Sequence, residues 1–112
     1  MIERAAQWTS PYDVVSVALV ETGRALTALR RGEHEEALTH STTALETIDR
    51  SDQLLEQASL RRLLAEIPRI LGDVAQEHRL LSEALTLYDR KGVVTWRHEV
   101  LERLAQLRGR TE

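Results

Sequence analysis

The sequence has no cysteine, no phenylalanine and no asparagine, and a single methionine. The first absence rules out disulfides and thiolate metal sites. Aromatic residues are only 4% of the 112-residue chain, so a core has to be assembled from leucine, isoleucine, valine and alanine. With two prolines and five glycines, there are few places where a helix must stop. No stretch is long and apolar enough to span a bilayer, and the opening residues do not form a secretory signal. Lysine occurs once, as Lys91, among 15 basic residues, a bias that a GC-rich genome produces without a functional cause. The net charge is −3, with acids and bases interleaved, so no basic face offers itself to nucleic acid. These absences lead us to expect one soluble cytoplasmic domain over residues 1–112, with no membrane or direct nucleic-acid contacts.

What the chain does have is a period. Ala25, Ala65 and Ala105 are spaced 40 residues apart. The same offset pairs Gly32 with Gly72, Ala44 with Ala84, Leu45 with Leu85, Asp49 with Asp89 and Arg50 with Arg90. Self-similarity at a period of this size marks a stacked repeat architecture. Each unit buries its apolar face on its neighbours, and the stack presents surfaces to partners.

The elements between the turns read as helices. Ser10 can cap a first helix, with Pro11 at its first position and Asp13 three after the cap. Val14, Val17, Ala18, Ala25, Ala28 and Leu29 then follow helical spacing up to Arg31-Gly32. A second helix, roughly Glu33 to Asp49, opens with Glu33, Glu35 and Glu36, which suit a helix N-terminus. Its inward stripe is predicted to be Ala37, Leu38, Ser41, Ala44, Leu45 and Ile48. Ser51-Asp52 starts a third helix with Leu54, Leu55, Ala58, Leu60, Leu64, Ala65 and Ile67. Gly72-Asp73 opens a fourth with Leu80, Leu81, Ala84, Leu85, Leu87 and Tyr88. After Lys91-Gly92 a fifth runs from about Val93 to Leu107. Gly32, Gly72 and Gly92 are the expected turn residues, with left-handed backbone at the helix ends. The clusters Val14-Val15 and Val93-Val94 are too short for strands. Pro68 falls inside the third helix, where it removes the bond to the Leu64 carbonyl and must kink or end the helix.

The period also reaches the first residues, where Ala5 and Trp8 occupy the positions of Leu45 and Ile48. Residues 1–9 therefore read as the end of a preceding repeat helix, 10–50 and 51–90 as two repeats, and 91–112 as a half repeat. A chain that starts and stops within a repeat is expected either to be cut from a longer protein or to have its ends covered.

The pattern resembles the tetratricopeptide repeat (TPR) family, whose unit is a helix–turn–helix hairpin. The family's small residue on the first helix matches Ala25, Ala65 and Ala105. Its turn of glycine plus acid matches Gly32-Glu33 and Gly72-Asp73, and its later alanine matches Ala44 and Ala84. Its first alanine on the second helix matches Ala37, with Glu77 in the following repeat. Where the family often has large aromatics, this chain has Glu21 and Arg61 at one position, and Ser41 and Leu81 at another. Its period exceeds the usual length of about 34 residues. The resemblance implies an all-α, TPR-like α-solenoid of antiparallel helical hairpins, about two and a half repeats long. Longer helices of this kind are similar to those of bacterial transcription regulators and signalling ATPases. Alanines recur where helix axes cross closely, because the interaxial distance depends on the side chains at the crossing.

No residue pattern supports catalysis, a metal or a cofactor. Of His34, His40, His78 and His98, no two stand one helical turn apart, so there is no helical metal pair. Glu35-Glu36, Asp49 with Asp52, and Glu99 with Glu102 read as solvated acids. Glu99 and Arg103 have the spacing of a surface helix pair. Asp49-Arg50 and Asp89-Arg90 read as stabilisers of the turns between repeats. No nucleophile elbow or phosphate loop is present. Arg24, Arg30, Arg31, Arg61, Arg62 and Arg69 lie mostly on first-type helices, which in the family line the concave surface. With Glu21, Glu56 and Glu66 among them, they read as a mixed, solvated face. Asparagines with which some family members clamp a peptide are absent.

The expectation is a non-catalytic protein–protein interaction or oligomerisation module of a bacterial regulatory or signalling protein. The alternative is a ligand-sensing domain that takes a peptide or small molecule in a concave groove to control an attached effector. The fifth helix is apolar over a wider arc than one packed face requires. Trp96, Val100, Leu101, Leu104 and Leu107 are therefore expected at a self-association interface, most simply that of a homodimer.

Overall fold

Three glycines set the corners of the chain. Gly32, Gly72 and Gly92 have φ of 77°, 81° and 79° in the computed structural model, which describes residues 11–111 and the side chains of residues 13–109. At each corner two amide groups turn back onto the helix that is ending. Glu33 N donates to Ala28 O (2.9 Å), Asp73 N to Pro68 O (2.8 Å) and Val93 N to Tyr88 O (3.0 Å). The glycine amides donate to Leu29 O (3.1 Å), Arg69 O (3.4 Å) and Asp89 O (3.3 Å). This is the Schellman arrangement, and a left-handed glycine makes it possible without a Cβ penalty. The turn after the second helix has no glycine. There Ser51 Oγ donates to Ile48 O (2.8 Å) and accepts from Gln53 N (3.2 Å).

The elements are α1 (Pro11–Arg30), α2 (His34–Ile48), α3 (Leu54–Leu64), α4 (Glu66–Leu71), α5 (Val74–Lys91) and α6 (Thr95–Thr111). No strand occurs among the described residues. α3 and α4 are two pieces of one helix, so the helices among the described residues number five. The break lies at Ala65, three residues before Pro68, whose ring nitrogen cannot donate to the Leu64 carbonyl. Asp73 caps α5 by accepting from Gln76 N at 3.2 Å, whereas Glu33 makes no side-chain cap for α2. Ser10 and the segment Ile2 to Trp8 lie outside the described residues.

Contacts fold symmetrically about the glycines, so the paired helices run antiparallel. Glu21 meets His40 across Gly32, while Arg61 meets Glu83 and Ser59 meets Tyr88 across Gly72. The molecule measures 49 × 35 × 17 Å. Its thinnest dimension is the depth of two helix layers at an axis separation of about 8–10 Å. Three apolar clusters run along it. Ala18, Ile48 and Leu60 form one; Ala25, Ala28, Ala37, Ala44, Leu64 and Ile67 form another. The largest gathers Ala58, Ala65, Leu80, Leu81, Ala84, Tyr88, Val100 and Leu107.

Ala25, Ala44, Ala65 and Ala84 are all fully buried. Ala105, expected in the same role, is exposed. It points away from Val100 and Leu107, which face α5, and no described element covers it. Leu38, expected in the inward stripe of α2, is also exposed, because Ala37, Ser41, Ala44 and Ile48 already fill that face.

Candidate binding groove

A groove of about 470 Å³ lies among α1, α3, α4 and α6, the elements expected to be the first helices of the hairpins. α1 supplies Leu26, Leu29 and Arg30. α3 and α4 supply Arg62, Leu63, Glu66 and Ile70, and α6 supplies Glu99 and Arg103. The volume is within the usual range for ligand sites, roughly 300–1,000 Å³. The break at Ala65 turns Ile67 and Pro68 inward while Leu63 and Ile70 stay 39% and 52% exposed. These two are large apolar side chains in a concave floor, an arrangement that asks to be covered.

The polar side of the groove is wired into the core. Tyr88 is fully buried, and its hydroxyl bonds Ser59 Oγ at 2.9 Å and accepts from Arg62 Nε at 3.1 Å. Arg62 Nη1 donates to Glu99 Oε2 at 3.3 Å, and its guanidinium lies 4.1 Å above the Trp96 ring. Arg103 Nη1 donates to the Arg62 carbonyl at 3.3 Å. Its Nη2 is buried without a hydrogen bond, 3.8 Å from Oε2 of Glu77. Glu66 is held below the usual carboxylate range, first by hydrogen bonds from Arg69, against the opposing effect of burial, with the charges of Arg69 and Arg103 adding to it.

Away from the groove, two polar clasps are centred on Arg61 and Glu21. Arg61 binds Asp49 through Nη1–Oδ1 (3.0 Å) and Nη2–Oδ2 (2.7 Å), and Glu83 through Nε (2.9 Å). Burial works against its charge, but the bonds to Asp49 and Glu83 outweigh that and raise its pKa. Glu21 bonds His40 Nδ1 at 2.6 Å and accepts from Arg24 at 2.8 Å. The His40 bond leads in lowering its pKa; burial opposes and Arg24 adds.

Residues expected at a self-association interface divide among three places. Val100 and Leu107 are buried in the chain's own core, and Leu104 packs against it, so α6 spends its principal apolar stripe on α5. Trp96 is 39% exposed but stacks on Arg62 at the groove. Leu101, 37% exposed, stands five residues on, about 140° further round the helix. Trp96 and Leu101 therefore face different sides of α6. Of the six arginines assigned to a mixed face, only Arg30 and Arg62 line the groove. Glu99 and Arg103, spaced for a helix pair, bind across to Arg62 and Glu77 instead. Asp49 ties to Arg61, and Asp89 to Arg97.

Sequence reasoning did not single out Leu63 or Ile70, and it named Glu77 only as a departure from an alanine. Leu63 and Ile70 are seven residues apart, on a stripe separate from Leu60, Leu64 and Ile67, and that second stripe was the available signal. No His, Asp or Glu cluster suited to a metal occurs among the described residues. No helix among them is long and apolar enough to cross a membrane. Comparison with protein-family models, with curated proteins and with solved structures finds no match for this chain.

Proposed function

We propose that the chain is a non-catalytic protein-interaction module, a TPR-like array of helical hairpins that takes a segment of a partner in the groove between its first-type helices. The observation that carries this is the groove itself, with Leu63 and Ile70 exposed in its floor. The repeat reading draws support from equivalent contacts 40 residues apart. Matching glycine turns close at Gly32 and Gly72, and Ile48 clusters with Leu60 as Tyr88 does with Val100. The placement of such a module in a bacterial transcription regulator or signalling ATPase rests on the sequence resemblance alone. Peptides selected on the wild-type chain from a random display library test the assignment. They should lose binding to a Leu63→Glu, Ile70→Glu double variant and keep it on Leu38→Glu, which lies outside the groove. Peptides indifferent to the double variant would refute it.

Self-association through α6 has separate support, because Val94 (77% exposed), Leu101 and Ala105 leave an apolar strip uncovered. Sedimentation should then show a homodimer that Leu101→Glu dissociates. A wild type that is monomeric at about tens of micromolar excludes it, since dissociation constants near 1 μM correspond to only about 8 kcal/mol.

A further inference from the structure

Resting on the groove reading above, we propose that the occupant is an amphipathic helical segment of a partner protein whose apolar stripe ends in an acidic side chain, and that Arg30 reads that acid. The chain carries a net charge of −3, yet the groove is lined by Arg30, Arg62 and Arg103 against Glu66 and Glu99. Most of these charges are already engaged. Glu99 is taken by Arg62, Glu66 by Arg69, and Arg103 faces Glu77. Arg30 is exposed and forms no ion pair among the described residues. It is therefore the cation in this groove that a ligand can neutralise without breaking an internal pair. Mutual charge complementarity of this kind fixes register and rejects wrong partners more than it adds affinity.

Position supports a helical occupant. Leu63, at the end of α3, and Ile70, in α4, stand seven residues apart on either side of the break at Ala65, and both face the groove. A helix with apolar residues repeating every seventh position carries its own knobs at the same interval. Arg30 and Ile70 each stand two residues before a turn glycine, Gly32 and Gly72. The charge thus lies beside Ile70 at the turn end of the groove, and the acid of the occupant belongs at that end of its stripe. A fatty acid would also pair an apolar body with a carboxylate. However, the groove is open and its walls carry Glu66 and Glu99, which suit the polar flanks of a peptide and not an alkyl chain.

The test uses three acetylated, amidated amphipathic helical peptides, identical except for Glu, Gln or Lys one turn beyond the last leucine, together with decanoate. Binding is followed by calorimetry on the full chain. The Glu peptide should bind about threefold to tenfold more tightly than the Gln peptide, with Lys weaker still. Arg30→Glu should reverse the order, and Arg30→Gln should bring the three together. Both variants change an exposed side chain, so their melting curves should match the wild type. Leu63→Glu should abolish binding of all three. Equal affinities on the wild type, or an order that neither Arg30 variant changes, overturns the acid assignment while Leu63-sensitive binding keeps the groove. Binding indifferent to Leu63→Glu overturns the groove reading as well. Decanoate binding without peptide binding, or no binding of any peptide at about millimolar concentration, overturns the proposal.

Discussion

Tyr88→Phe isolates one oxygen atom. The ring stays in a core of Leu80, Leu81, Ala84, Val100 and Leu107, so no cavity opens. What disappears is the hydroxyl shared by Ser59 at 2.9 Å and Arg62 Nε at 3.1 Å. The two losses are unequal. Ser59 is half-buried and can turn its hydroxyl to a helix carbonyl one turn back. Arg62 keeps Glu99 and the Trp96 face, but its Nε–H is left in a side chain only 13% exposed. A neutral hydrogen bond contributes about 1 kcal/mol and one to a charged group about 1.5–3 kcal/mol. With Ser59 largely re-satisfied, the expected loss is about 1–3 kcal/mol, most of it at Arg62. For a chain of this size that lowers Tm by roughly 4–12 °C, read by far-ultraviolet circular dichroism. In a Trp8→Phe background Trp96 is the only tryptophan, and its emission should shift to the red as the Arg62 guanidinium loosens above it. Ser59→Ala removes only the neutral partner and should lower stability by no more than about 1 kcal/mol. A Tyr88→Phe protein melting within about 1 °C of wild type with unchanged emission would refute the network. So would a Ser59→Ala protein that loses as much as Tyr88→Phe.

Three further substitutions test the packing and the clasps. Ala65→Leu should destabilise by about 1–3 kcal/mol through overpacking at a fully buried site, while Ala105→Leu, at an exposed one, should stay within about 0.5 kcal/mol. Equal melting of the two variants would refute the crossing assignment. Glu21 has its pKa lowered from 4.5, first by the hydrogen bond to His40. The unfolded chain therefore binds the proton more readily, and the contribution of Glu21 is present above pH 4.5 and is lost as pH falls through the depressed folded value. Glu21→Gln should flatten the fall of Tm on acidification below pH 4.5, and an unchanged slope would exclude the clasp.

How far the sequence could be read depended on whether a feature was local. The glycine turns close within one helix end, and Pro68 acts on the carbonyl four residues before it, so position in the chain was enough for both. Ala25, Ala44, Ala65 and Ala84 were legible because a fixed period repeats the same crossing. Spacing misled where a partner came from another helix. Glu99 and Arg103 stand one turn apart, which in an isolated helix makes a pair worth about 0.2–0.5 kcal/mol. Here Arg62 is 3.3 Å from Glu99 and stacks on Trp96, and that arrangement wins. Glu77 occupies the place of Ala37 and is buried, which a carboxylate tolerates only with partners. One of those is Arg103, 26 residues away, and no local pattern announces it. The wide apolar arc of the last helix was real as composition. It divides because its buried stripe and its two exposed residues point in three directions.

The repeat is faithful on one side of the molecule and broken on the other. At the 40-residue offset the core positions keep their chemistry, as with Ala25 and Ala65, Ala44 and Ala84, and Leu60 and Val100, all buried. Facing the groove, the same offset sets Leu26 against Glu66, Arg30 against Ile70, and Leu63 against Arg103. Packing explains the first set, since a close crossing admits only a small residue and a buried stripe only an apolar one. No such demand acts on exposed positions, where an array built only to stack could carry any soluble residue. Instead the groove alternates large apolar side chains with tethered charges, and Arg30 alone of its cations lacks an ion pair among the described residues. If the groove takes a partner segment as proposed, a surface of this kind would distinguish one end of it from the other. Direction along the groove is what a partner segment needs in order to bind in a single register.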